Sequence, residues 1–165
     1  SEWIMNVLNI NMLGFVIQDG IWSAVAAVCF GVLFNVPRRL LPGCALAAGL
    51  GHALRTLLMQ LGLDIELSTL VGSTLVGFIS VFLSLRWHAP IPVFTLCAAV
   101  TMVPGSFAYR TMLGVIELSQ GNADTANAAL IAASSNAVRT ALILGAIALG
   151  IAAPALLFQR EKPVA

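Results

Sequence analysis

The stretch Met12–Phe34, MLGFVIQDGIWSAVAAVCFGVLF, decides the fold class. It holds one charged side chain, Asp19, and closes on Asn35-Val36-Pro37-Arg38-Arg39. A helix that crosses a bilayer needs about 20 mostly apolar residues, and this run meets that length. Four more runs follow. The second, roughly Gly43–Leu63, ends in Gly62-Leu63-Asp64. The third, roughly Leu67–Leu85, is stopped by Arg86-Trp87-His88-Ala89-Pro90. The fourth, roughly Pro92–Leu118, is interrupted at Pro104-Gly105 and closed by Gly121-Asn122. The fifth, roughly Thr125–Phe158, is too long for one straight span and is expected to tilt or to begin at the interface. The sequence therefore predicts an all-α integral membrane protein with about five transmembrane helices, the fourth broken at Pro104-Gly105. Residues 1–11 read as an interfacial N-terminal segment, 12–158 as the five-helix transmembrane domain and 159–165 as a cytoplasmic tail.

Composition agrees with this reading. The 165 residues are 59% hydrophobic and 9% charged. A soluble domain carries about 25% charged residues, so most of this surface must face something other than water. A net charge of +1 argues against nucleic acid, which selects a basic face. Cys29, Cys44 and Cys97 sit in or beside apolar runs without a C-x-x-C pair, and read as packing residues rather than a redox or metal site. The start Ser1-Glu2-Trp3 lacks the basic region of a signal peptide, so the first apolar run is expected to stay in the mature protein.

Orientation follows from charge. Arg38, Arg39, Arg86, Arg160 and Lys162 fall on one side of the predicted topology. The loops of the other side hold Glu2, Asp64, Glu66, Glu117 and Asp124 and no Lys or Arg. Positive loops stay in the cytoplasm, which places the C-terminus inside and the N-terminus outside. An odd number of spans follows, independently of the count above. Small residues recur every four positions at Gly43, Ala47 and Gly51, at Ser73 and Gly77, and at Ala146 and Gly150. That spacing lets helices approach closely in lipid.

Charges inside a bilayer are rare and mark function. Asp19, Arg55, Arg110 and Arg139 lie within predicted spans, with His52 near them. At about 1.5 Å per helical residue, all four charges fall in a layer between the midplane and the outer third. His52 and Arg55, at i and i+3, share a helix face. Three arginines against one deep acid leave surplus positive charge, since arginine stays protonated. A substrate carboxylate, which arginine binds with two parallel hydrogen bonds, or an acid on a partner subunit would neutralise it. The plainer alternative is an ion pair of Asp19 with one arginine, the others snorkelling to the interface.

Val103-Pro104-Gly105-Ser106 is the second candidate. Pro104 removes a backbone donor, and a half-helix starting after Gly105 would aim its amides and positive dipole end into the membrane, as anion-binding helices of transporters do. Ser106 and Arg110 stand at i and i+4 behind the break, with Tyr109 beside them. The plainer alternative is a proline kink that serves packing. Ser134, Ser135 and Asn136 are expected to hydrogen-bond between helices. Trp22 and Trp87 read as packing residues or interface anchors. No H-E-x-x-H, G-x-S-x-G or glycine-rich phosphate loop is present, so the residues point to no enzyme and no cofactor.

The order and spacing of Phe34-Asn35-Val36-Pro37, Gly51-His52-Ala53-Leu54-Arg55, Gly62-Leu63-Asp64-Ile65-Glu66 with Ser68-Thr69, and Val103-Pro104-Gly105-Ser106 with Tyr109 resemble one known family. It is the bacterial threonine/serine exporter family, and within it the small subunit, closest to the small membrane protein of the two-component succinate exporter. The resemblance implies a larger partner subunit carrying a complementary membrane domain, and outward transport of a small carboxylate: succinate or a similar dicarboxylate, or threonine or serine. Together with the charges, it makes Arg55, Arg110, His52, Gly105, Ser106, Tyr109 and Arg139 the expected substrate contacts. Asp19 and His52 become the expected proton-coupling pair. A non-transporting scaffold subunit, and a homo-oligomeric anion pore, are the competing expectations.

Overall fold

A computed structural model describes residues 10–119 and 123–158. The expected tail, and the expected interfacial segment apart from its last two residues, lie outside the described residues. Six α-helices and no strand occur among them: α1 Ile10–Leu33, α2 Leu41–Gln60, α3 Ile65–Trp87, α4 Ile91–Met102, α5 Gly105–Ser119 and α6 Ala123–Phe158, with a 3₁₀ turn at Arg38–Leu40 before α2. The chain is an all-α membrane protein. α1, α3 and α6 contain stretches long and apolar enough to cross a bilayer singly, and the broken pair α4 and α5 makes a fourth candidate. α2 has 20 residues, about 30 Å of helix, but is less apolar because it carries His52, Arg55, Thr56 and Gln60. Its surroundings explain this: α2 packs against α1, α3 and α4, so lipid sees little of it.

The described residues form two compact units. One comprises the chain up to Met102 together with the part from Ala146 onward; the other is Val103–Gly145.

In the first unit, three helices end on a left-handed residue. Asn35 has φ 58°, and the Val36 amide donates back to the Gly31 carbonyl at 2.9 Å. Gly62 has φ 90°, and the Leu63 amide reaches the Leu58 carbonyl at 3.1 Å. His88 has φ 50°, and the Ala89 amide reaches the Ser84 carbonyl at 3.2 Å. This six-to-one closure satisfies carbonyls that a helix end leaves open. Pro37 and Pro90 then prevent continuation.

Helix contacts run through the small residues. A Cβ on Gly20 would stand 3.1 Å from the Gly49 carbonyl oxygen, and one on Gly49 would stand 3.1 Å from the Gly20 carbonyl oxygen. A Cβ on Gly72 would stand 2.8 Å from the Gly51 oxygen, and one on Gly51 would run into Val76. Gly43 lies under Trp87 and Phe94, whose rings are 5.8 Å apart, so Trp87 is a packing residue. Against the last part of α6, Gly77 meets Ile151 and Pro154, Gly150 meets Ser73, and the Ser73 hydroxyl donates to the Ala146 carbonyl at 3.0 Å. Cys44 and Cys97 are buried and Cys29 is exposed; all three are free thiols.

The second unit is held by α5 against the first part of α6, where a Cβ on Gly114 would meet the Ala133 methyl at 2.7 Å. One expectation is corrected here. Ser134 donates to the Ile131 carbonyl at 3.0 Å and Asn136 to the Ala132 carbonyl at 2.8 Å, within their own helix rather than across to another. The carbonyls three and four residues back are the nearest acceptors to a short polar side chain in a helix.

Candidate functional site

The first unit contains a cavity with ionisable walls. Phe15 and Asp19, one turn apart on α1, face His52, Arg55, Thr56, Met59 and Gln60 of α2 across about 250 Å³. On α2 the polar residues form a stripe at i, i+4 and i+8: His52, Thr56 and Gln60. The approach of Gly20 to Gly49 brings the two helices near enough for these side chains to meet.

Asp19 is the hub. Its Oδ2 accepts from His52 Nδ1 at 2.7 Å and from the Thr56 hydroxyl. The other ring nitrogen, His52 Nε2, lies 3.3 Å from the Thr101 carbonyl oxygen in the last turn of α4. Both nitrogens therefore face acceptors. An imidazolium donates to both; a neutral ring has one N–H and serves only one. The side chains of His52 and Asp19 are 16% and 30% exposed, sheltered but within reach of a small solute.

Arg55 completes the lining. Its Nε is buried and has no hydrogen-bond partner among the described residues. Asp19 forms no ion pair with Arg55 and pairs with His52 instead. The physical reason is reach. His52 and Thr56 stand one turn apart and both donate to the carboxylate, while Arg55 lies near enough to feel that charge without a hydrogen bond to it. A buried donor without a partner is costly, about 1–3 kcal/mol and more for a charged group. Phe15 and Met59 lower the local dielectric and would strengthen a charged contact there. A larger groove of about 400 Å³ between α2 and α3, lined by Leu54, Leu70, Val71, Thr74, Leu75 and Phe78, has no charged wall and offers a carboxylate nothing.

The other expected contacts belong to the second unit. α4 ends at Met102 and α5 begins at Gly105, so the helix breaks where the sequence predicts. The Gly105 amide turns back to the Val103 carbonyl at 2.9 Å and the Ala108 amide to the Pro104 carbonyl at 3.2 Å. Ser106, Tyr109 and Arg110 are exposed, as are Glu117 and Arg139. The Arg139 guanidinium carbon lies 5.9 Å from the centre of the Phe107 ring, at the edge of cation–π range. Within the first unit, the arginine charge beside Asp19 comes from Arg55.

Sequence reasoning named Asp19, His52 and Arg55 but missed Thr56, Gln60 and the Thr101 carbonyl. Thr56 was findable, since it stands four residues after His52. The Thr101 carbonyl was not, because no pattern shows where a backbone oxygen points. Among the described residues, no group of three His, Cys, Asp or Glu side chains is placed to hold a metal ion.

The sequence pattern of the Threonine/Serine exporter, ThrE, family matches residues 19–157. The chain belongs to this exporter family. The match opens at Asp19 and takes in the whole α2 lining of the cavity, the Pro104-Gly105 break, Arg110 and Arg139. A protein of Haemophilus influenzae strain Rd, described as an uncharacterized protein, is 38% identical over 165 residues, covering 99% of this chain and 54% of the relative. The chain thus spans about half the length of the curated relative it matches. No solved structure matches it.

Proposed function

We propose that the chain is the small membrane subunit of a secondary exporter of small carboxylates, and that the substrate carboxylate binds Arg55 in the cavity beside Asp19 and His52. The observation that carries this reading is the buried Arg55 Nε, which lacks a partner in a cavity sized for a small solute. The guanidinium would take the carboxylate with two parallel hydrogen bonds. Gln60 and Thr56 are placed to meet a second polar group. Succinate, a similar dicarboxylate, threonine and serine all have the required headgroup. Gly105, Ser106, Tyr109, Arg110 and Arg139 would add contacts where the complete transporter brings them to the substrate.

A larger partner subunit would supply the complementary membrane domain. A relative about twice as long as this chain supports that reading, since it has room for such a domain in one polypeptide. The loop charges support a cytoplasmic C-terminus, and the resemblance to a bacterial exporter family supports a bacterial inner membrane. The test is efflux of succinate and threonine from cells in which Arg55→Gln replaces the native residue and the complex still assembles. Export falls at least tenfold on this reading; unchanged export removes Arg55 from the site.

A second reading has its own observation. Arg110 and Arg139 are exposed on helices that belong in a membrane, where an arginine needs a partner. As a scaffold subunit, the chain would offer these two to acids of a neighbouring chain. Charge-swap rescue between Arg110→Glu and an acid-to-arginine change in the partner would support this reading.

A further inference from the structure

α1 has two faces. It packs against α2 and α4, with Val16, Ser23 and Ala27 buried. The opposite face is open. It carries Phe15, Gln18, Trp22, Val25, Cys29 and Val32, all exposed. Their spacing alternates between three and four residues, the repeat that turns one helix face into a seam for another helix. At about 1.5 Å per residue the seam runs for about 25 Å, most of a hydrocarbon core about 30 Å thick. Lipid would suit its apolar members but not two of the six. Gln18 stands about two turns into α1, and Trp22, 65% exposed, lies near the middle of this 24-residue helix. Trp22 is thus neither packed within the chain nor placed at a membrane surface. Neither side chain has a hydrogen-bond partner among the described residues, and acyl chains offer none.

These polar groups select what covers the seam. A primary amide is its own complement: its nitrogen donates twice and its carbonyl oxygen accepts twice. Copies of one chain enter a membrane in the same direction, so a two-fold axis along the membrane normal sets each residue opposite itself at equal depth. The Gln18 amides of two copies can then donate to each other. Each carbonyl oxygen keeps a second lone pair, and the Trp22 indole, a donor only, stands one turn away on the same stripe to use it. The seam bears no charged residue, so joining two copies brings no like charges together. We infer that α1 pairs with the α1 of a second copy of this chain along this seam, the Gln18 amides fixing the register. A single polar position in an apolar seam sets register and partner number in coiled coils. The pairing does not rest on the carboxylate reading. Phe15 belongs both to the seam and to the cavity wall, so the second copy stands at the rim of the cavity.

The experiment reconstitutes the full chain in vesicles and follows resonance energy transfer between donor-labelled and acceptor-labelled copies as lipid dilutes them. A dimer is expected. Gln18→Leu shifts its midpoint about tenfold toward higher protein density, the loss of two interhelical hydrogen bonds. Trp22→Ala weakens it as well, and Gln18→Asn, which keeps an amide, weakens it less than Gln18→Leu. Ile17→Ala, toward the groove between α1 and α2, leaves the midpoint unchanged. All four positions are exposed, so the packed core is left alone. In cells, a short bismaleimide is expected to join two copies through Cys29, since Cys44 and Cys97 are buried, and Cys29→Ser abolishes that product. A monomer at every dilution, a dimer whose midpoint neither Gln18→Leu nor Trp22→Ala moves, or cross-linking of Cys29 only to a different chain overturns the inference.

Discussion

Two stretches of this chain look alike in sequence and differ in space. Gly51 precedes Arg55 by four residues, and Gly105 precedes Arg110 by five. In α2 the glycine is buried against Val76 and Met102 with no room for a methyl group, and the arginine lines a cavity opposite an acid. In α5 a Cβ on Gly105 meets nothing within 4 Å, and the arginine is exposed. The first pair is built: packing fixes the backbone, and the fixed backbone aims the guanidinium. The second starts a helix and presents its charge outward. A glycine near an arginine is therefore not a motif here, and what the glycine touches decides its role.

Breaking the built region at its packing has the largest expected effect. Gly51→Leu forces a branched side chain onto Val76 and the Gly72 backbone, and is expected to remove about 3 kcal/mol or more of stability; loss of a monodisperse peak for the detergent-solubilised chain would show it. Arg55→Gln leaves the fold and removes the charge. It is expected to weaken carboxylate binding tenfold or more, about 1.5–3 kcal/mol, read by calorimetry. Arg55→Lys should recover only part of that, because an ammonium lacks the planar fork. Thr56→Val deletes one of the two donors to Asp19 and is expected to cost about 1 kcal/mol, with binding weakened a few-fold. Gly105→Ala is the contrasting control. It enters open space at an ordinary backbone conformation and should change thermal stability by no more than about 0.5 kcal/mol. A large loss there would mean that the two glycines are equivalent after all.

Most of the fold was legible because apolar run length and helix stops are local properties. The run Leu67–Leu85 became Ile65–Trp87 and the run Gly43–Leu63 became Leu41–Gln60, differences that come from caps rather than cores. Asn35-Val36-Pro37 and Gly62 marked the ends of their runs, and both prove to be left-handed closures, since Asn and Gly tolerate positive φ. His88 did the same job without announcing it. Its φ of 50° is set by the closure onto Ser84 and the proline that follows.

The cavity was legible only in part. Asp19, His52 and Arg55 stood out because charge is rare in a span. Which of them would pair is a question of reach across two helices, and one-dimensional spacing does not contain it. Counting arginines against one acid pointed to surplus positive charge, with an Asp19–arginine ion pair as the plainer alternative, but could not show that Asp19 would gather His52 and Thr56. Ser134 and Asn136 failed for the related reason that a nearby carbonyl on the same helix outcompetes any distant acceptor.

The reciprocal approach of Gly20 and Gly49 has a consequence for how this protein tolerates change. Gly20 adjoins Asp19, and Gly49 stands three residues before His52, so the spacing between acid and imidazole is gauged by two side chains that do not exist. A methyl on either would act as a shim, widening the gap between α1 and α2 without touching a single polar atom of the cavity. The most exacting tolerance in the site is thus set by hydrogen atoms, at positions where no chemistry takes place.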